Sequence, residues 1–171
     1  MFIENGVPVR RVDPEEWAAA RQARLAAMQD APGAFASTLD RELGFDEAMW
    51  RERLTAGPWF LAWLDGEPVG LVAARAEQSG SGREWHLMSM WVSPRVRGSG
   101  VADRLVAAVT AHVRAAGGAV VTLWVATGNA RARDFYERMG FRPTGNQSAY
   151  RRADATALDE EELALDLTEV G

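Results

Sequence analysis

The stretch Met90-Trp91-Val92-Ser93-Pro94-Arg95-Val96-Arg97-Gly98-Ser99-Gly100-Val101-Ala102 decides how the chain is read. An apolar run stops at Pro94, which has no N–H to give a sheet ladder. A loop carrying Arg95, Arg97, Gly98 and Gly100 follows, and then a segment with no helix breaker before Gly117. This is a strand, a tight loop and a helix N-terminus in immediate succession. A helix start presents N–H groups without intrahelical partners and the positive end of the dipole, so it suits a phosphate. Gly98 and Gly100 let the main chain approach a ligand with no Cβ in the way. The expected ligand is a pyrophosphate on the N–H groups of Arg97, Gly98, Ser99, Gly100, Val101 and Ala102.

The flanking segments are read from their periodicity. Ser99 to Ala116 reads as a helix, with Val101, Leu105, Val109 and Val113 as its buried stripe. Gly117-Gly118 closes it, and the near-continuous apolar run Ala119 to Val125 reads as a strand covered on both faces. Upstream, Arg83 to Val92 is a long strand. Alternation along it places Glu84, His86, Met88, Met90 and Val92 on one face. Trp59 to Leu64 and Pro68 to Ala76 form a hairpin about Asp65-Gly66. At the beginning, Val7 to Val12 reads as a strand. Asp13-Pro14-Glu15-Glu16 then starts a helix that runs to about Met28, with Asp13 as cap. Ala34 to Glu42 reads as a loop and Asp46 to Ala56 as a second helix. Asn129 to Met139 is a short helix with Ala132, Phe135, Tyr136 and Met139 on one face, and Asp134 is spaced to pair with Arg138. Two further strands are expected near Ser148 to Arg152 and Glu162 to Leu167. The order βααβββαβαββ predicts one α+β domain over residues 1–171, with a mixed sheet.

Composition narrows the chemistry. At 171 residues and 47% apolar content the chain can bury a core, and no apolar run approaches the ~20 residues that span a bilayer. The first residues lack a basic region followed by an apolar core, so no signal peptide is read and a cytoplasmic location is expected. With no cysteine there is no thiolate nucleophile, and with only His86 and His112 no metal is expected. A net charge of −5 argues against a nucleic-acid surface. All 19 basic residues are arginine, so a P-loop Gly-Lys-Ser/Thr is impossible.

The chain resembles the GCN5-related N-acetyltransferase (GNAT) superfamily, most sharply over Leu87 to Phe141. That superfamily's acyl-coenzyme A signature is Arg or Gln, two residues, Gly, one residue, then Gly or Ala. It appears as Arg97-Gly98-Ser99-Gly100-Val101-Ala102. A second signature appears as Asn129, Ala132, Tyr136, Gly140 and Phe141. The resemblance implies a mixed, mostly antiparallel sheet with a splayed parallel pair and about four helices. It also implies acetyl-CoA as cosubstrate and direct transfer of acetyl to a primary amine, a small molecule or a peptide. The pantetheine arm would run beside Met90, Trp91 and Val92 on main-chain bonds, with Asn129 touching it and Tyr136 protonating the departing thiolate. The amine's proton would go to Glu84, to His86 or to a water chain. Asn129 also fits a helix cap, and Tyr136 a core position. Arg131 and Arg133 are within range of a 3′-phosphate or lie on an exposed helical face. Phe35 and its neighbours fall in the acceptor-side loop. Dimers are common in similar proteins, so a homodimer is among the expected assemblies. A non-catalytic acyl-CoA sensor is the alternative, and Tyr136 favours the enzyme.

Overall fold

The computed structural model describes residues 6–78, 80–151 and 156–168. Its strands are β1 (Val9–Arg11), β2 (Trp59–Leu64), β3 (Glu67–Ala76), β4 (Glu84–Val92), β5 (Val120–Ala126), β6 (Arg142–Arg151) and β7 (Ala157–Asp166). They form one seven-stranded sheet in the order β1-β2-β3-β4-β5-β7-β6. Every neighbouring pair is antiparallel except β4 with β5. The helices are α1 (Trp17–Asp30), α2 (Leu39–Leu43), α3 (Glu47–Ala56), α4 (Val101–Ala115) and α5 (Ala130–Arg138).

Short polar side chains set where these elements start. Asp13 and Glu16 form a reciprocal capping box on a 3-10 turn, Pro14–Glu16, that leads into α1. Asp46 accepts from Met49 N at 2.9 Å ahead of α3, and Asn129 accepts from Ala132 N at 3.1 Å ahead of α5. The β2–β3 turn uses Asp65 at φ 52° and Gly66 at φ 80°, the paired positive angles of a tight hairpin.

Each face of the sheet carries its own core. On one side the α4 stripe, Val101, Leu105, Val109 and Val113, is buried against Val69, Val72, Leu87, Val121 and Leu123. Phe141 and α5 complete that layer through Tyr136. On the other side Ala20, Ala23, Ala27 and Met28 of α1, with Trp50 and Leu54 of α3, cover Trp59, Leu61, Leu71, Ala73 and Trp91. Among the described residues, the strands that this second core reaches are β2, β3 and β4.

Two irregularities bear on β4; the register also shifts in β2–β3 at Ala62/Trp63 and in β6–β7 between Pro143 and Gln147. β4 and β5 pair only at Glu84↔Val120, Trp85↔Val121 and His86↔Thr122. Beyond that point β4 stays on β3 and β5 stays on β7, so a fork opens between them. The second irregularity is a β-bulge. The β3–β4 register steps from Ala73↔Met88 to Leu71↔Trp91, so Ser89 and Met90 together oppose Val72. Ser89 takes φ 61°, a left-handed angle rare for a residue with a side chain.

The bulge overturns the alternation expected on β4. Trp85, Leu87, Met90 and Val92 pack towards α4, whereas Met88 and Trp91 pack towards α1. Glu84, His86 and Met88 therefore do not share a face with Met90 and Val92. Other expectations shift less. The first strand spans three residues, and the expected loop Ala34 to Glu42 holds the start of α2, capped by Thr38. A 3-10 turn, Pro94–Val96, precedes the glycine loop, and α4 starts two residues later than Ser99. β6 and β7 run ten residues each, longer than expected; in β7 Glu160, Glu161 and Glu162 mask the strand pattern. Arg152, expected in the first of these, lies outside the described residues.

Candidate active site

A cleft of about 750 Å³ lies where the fork meets the glycine loop and α5. Of the residues expected to hold a cofactor, Met90, Trp91, Val92, Arg97, Gly98, Gly100, Val101, Ala102 and Asn129 line it. Tyr136 lines it too, with Phe135, Arg131 and Arg138 beside it. Ser99 is absent from the wall; its hydroxyl donates to the Val96 carbonyl and closes the loop on itself.

Gly98 and Gly100 stand at φ 79° and 81°. A Cβ built at either would meet no protein atom within 4 Å. Glycine is therefore required here by the left-handed backbone, and the space beside it is open cleft. Gly100 is the N-cap of α4, and the first intrahelical bond runs from Arg104 N to the Gly100 carbonyl at 3.2 Å. The N–H groups of Val101, Ala102 and Asp103 precede that bond, on residues that line the cleft. This is an anion cradle made of main chain.

The Arg97 side chain is held by protein. Its Nε donates to the Val92 carbonyl at 3.0 Å, and Nη2 donates to Asp30 Oδ2. The same oxygen accepts from Trp91 Nε1 at 2.9 Å. These bonds, the one from Trp91 foremost, hold the Asp30 carboxyl below the usual carboxylate range. Asp30 thus fastens the end of α1 to both β4 and the glycine loop. In the sequence it is only part of a helix-ending Asp30-Ala31-Pro32-Gly33, and nothing local predicts the contact.

On α5, Asn129 caps the helix and also faces the cleft, so both of its expected roles are open to it. Tyr136 is 7% exposed, with its ring edge-on to Phe135 at 5.1 Å and to Phe141 at 5.6 Å. Burial raises its phenol well above the ordinary value, so it stays protonated. Arg131 faces the cleft, but Arg133 is engaged by Glu137 and Glu161, each at 3.0 Å. The i, i+4 ion pair of α5 is thus Arg133–Glu137; Arg138, expected to pair with Asp134, lies over the Phe135 ring at 5.4 Å.

Neither expected base lines the cleft. His86 sits in the last β4–β5 pair before the fork, with Nδ1 3.4 Å from Thr122 Oγ1. Burial, aided by the charge of Arg75, holds its pKa below the ordinary value, so it is neutral near pH 7. Glu84 is exposed at the start of β4, two residues further from the fork. The geometry brings His86 to the fork and leaves Glu84 outside.

The face covered by α1, α2 and α3 carries a buried ionic cluster that periodicity does not reveal. Arg24 grips Glu42 with two bonds, Nε to Oε2 at 3.0 Å and Nη2 to Oε1 at 2.9 Å. Arg53 adds a third at 3.1 Å. Burial disfavours a charged Glu42, yet the bonds and charge of Arg24 prevail and its pKa falls. The remaining nitrogen of Arg24, Nη1, donates to Ser89 Oγ at 2.9 Å. Phe35 is buried with its ring 4.5 Å from the Arg24 guanidinium carbon. The partners come from positions 24, 42, 53 and 89, whose spacing matches no helix or strand period.

Comparison with known proteins agrees with this architecture. The pattern of the acetyltransferase (GNAT) family matches residues 17–141. An uncharacterized N-acetyltransferase of Methanocaldococcus jannaschii is 27% identical over an alignment of 114 residues that covers 57% of this chain and 50% of that protein. N-acetylaspartate synthetase of Rattus norvegicus is 35% identical over 92 residues, 54% of this chain and 30% of that protein. The chain thus matches half or less of the length of these relatives. Among solved structures, yncA of Salmonella typhimurium, determined with its cofactor acetyl-CoA, superposes with a TM-score of 0.74 at 20% identity, covering 98% of this chain and 97% of that one. Ribosomal-protein-alanine N-acetyltransferase of Brucella melitensis gives 0.73 at 20% identity, covering 94% and 100%. These two likenesses concern the fold. The family match spans both signatures, the fork and the glycine loop, and the chain belongs to the acetyltransferase (GNAT) family.

Proposed function

We propose that the protein transfers acetyl from acetyl-CoA to a primary amine by direct attack in a ternary complex. One observation carries the reading. A single cleft joins a main-chain anion cradle, the free edge of β4 beyond His86 and a buried, protonated tyrosine. In this reading the pyrophosphate lies on N–H groups of the Arg97 to Ala102 loop other than that of Ser99, which donates to the Val96 carbonyl at 3.3 Å. Arg131 and Arg138 supply positive charge at the cleft wall, and the pantetheine arm lies along Met90 to Val92 as an added strand would. The thioester carbonyl then sits at the fork, where a β4 N–H stabilises the oxyanion.

The neutral amine attacks the thioester carbon. The C–N bond forms, the C–S bond breaks, the sulfur takes the Tyr136 proton, and the proton that the attacking nitrogen sheds as the amide forms returns to the Tyr136 oxygen through water. An alkyl ammonium holds its proton to about pH 10, so a base must remove it. His86 is neutral and stands at the fork, and we assign it that task, directly or through water. Glu84 is too far along the strand for this. A thioester is already activated, which explains why no covalent nucleophile is needed. A cytoplasmic setting belongs to this reading and rests on composition alone.

The test has two steps. Acetyl-CoA should raise the melting temperature clearly more than ATP or NAD, and equal shifts would remove the cofactor assignment. With an accepted amine, Tyr136→Phe should lower kcat by roughly 100-fold, in the range of general-acid contributions, while acetyl-CoA affinity stays nearly unchanged. An unchanged kcat would remove its acid role. Binding without thiol release on any amine would favour the sensor.

A further inference from the structure

Arg24, which does not line the cleft, acts here as a positioning residue. We propose that it props the β4 bulge in its left-handed conformation and so fixes the main chain that meets the thioester. This role rests on the acetyl-transfer reading above.

The geometry is specific. Ser89 is one of two described non-glycine residues with positive φ, and the other, Asp65, sits in a hairpin turn where such angles are usual. Ser89 lies mid-strand, where a left-handed angle is strained for any residue with a Cβ. Its hydroxyl accepts from Arg24 Nη1 at 2.9 Å. The Arg24 guanidinium is itself immobilised by the two bonds to Glu42, beneath 6% exposure for Arg24 and 1% for Glu42. A rigid strut therefore runs from α2 through α1 to the bulge. The bulge sends Met90 and Val92 to the cleft side, where both line its wall. An unbulged strand would turn Met90 to the other face. The strut stands on the face opposite the cleft, so its effect passes through the backbone of Ser89.

Ser89→Ala keeps a Cβ and removes the acceptor; Ser89→Gly removes the acceptor and needs no prop, since glycine adopts φ near 60° without strain. The two variants should therefore split. The Ala variant loses on the order of tenfold or more in kcat, the scale of a small misplacement at a reacting centre, and the Gly variant stays within about threefold of the parent. Arg24→Met repeats the Ala loss in the parent and causes much less in the Ser89→Gly background. All variants keep their acetyl-CoA dissociation constant, measured by calorimetry, within about threefold. Equal losses for Ala and Gly would show that the hydroxyl itself acts and overturn the strut. Full activity in the Ala variant would overturn it as well. Hydrogen exchange at Met88 to Trp91 reads the same strut without turnover. Faster exchange in Arg24→Met, relative to Thr122 and Leu123 as references on β5, supports it, and unchanged exchange overturns it. If the parent releases no thiol on any amine, the acetyl-transfer reading fails while the exchange experiment still decides the strut.

Discussion

On the α4–α5 face of the fork, the groups offered to a ligand are mostly main chain. The glycine loop and the first turn of α4 present N–H groups, and the free edge of β4 adds more. On the α1–α3 face the fork is bounded by side chains. Arg24, Glu42 and Arg53 come from three helices, and Arg24 touches the bulge at Ser89. The first face is built from a local backbone shape, which glycine and helix chemistry specify within a dozen residues. The second is a tertiary construction, and its parts have no function apart from one another. Damage should therefore appear as lost affinity on the first face and as lost stability or lost alignment on the second.

The largest expected effect breaks the second face. Glu42→Ala leaves two arginines without their buried carboxylate. Stability should fall by about 3–5 kcal/mol, the usual result of removing one partner from a buried ion pair. Urea unfolding measures it; a loss below about 1 kcal/mol would mean that the cluster is solvated and that the two faces do not differ in this way.

Gly100→Val tests the first face. A branched residue at φ 81° is strained, and its side chain would enter the space beside the loop that is open cleft. Acetyl-CoA affinity should drop by roughly tenfold or more by calorimetry, with a smaller change in melting temperature. Retained affinity would separate the loop from the cofactor.

The smallest effect concerns the point where the faces meet. The folded pKa of His86 is depressed, so the neutral ring is the stable form. Its contribution to stability is complete above the unfolded value of ~6.5 and is lost as pH falls through the lower folded value. Activity should fall over the same acid range as His86 takes a proton and ceases to be a base. In His86→Gln that limb of the kcat profile should disappear and the remaining rate should be lower. A parent profile with no such limb would shift the base role to water.

The distance along the chain between a residue and its partners explains what was legible. The glycine loop, α4, the β2–β3 hairpin and Asn129 with Tyr136 could be read because each depends on neighbours a few residues away. The alternation along β4 could not be extended past Ser89, since nothing in Leu87-Met88-Ser89-Met90 marks a bulge. The Ser89 hydroxyl there is bonded by Arg24, 65 residues earlier in the chain. Asp30 was hidden for the same reason, because its partners Trp91 and Arg97 are 61 and 67 residues away. Arg97, read for its backbone, proved to have a side chain committed to α1. Of the paired candidates His86 and Glu84, only the point at which β4 and β5 part could choose.

The sequence by itself determined the glycine loop ahead of α4, the order of elements apart from α2 and the family, because turn chemistry, helix capping and apolar periodicity act over short stretches of chain. Only the tertiary structure decided which way the side chains of β4 face, which of His86 and Glu84 stands at the fork and which residue reaches the bulge. Those depend on where β4 leaves β5 and on a buried charge cluster whose members meet only after the chain has folded.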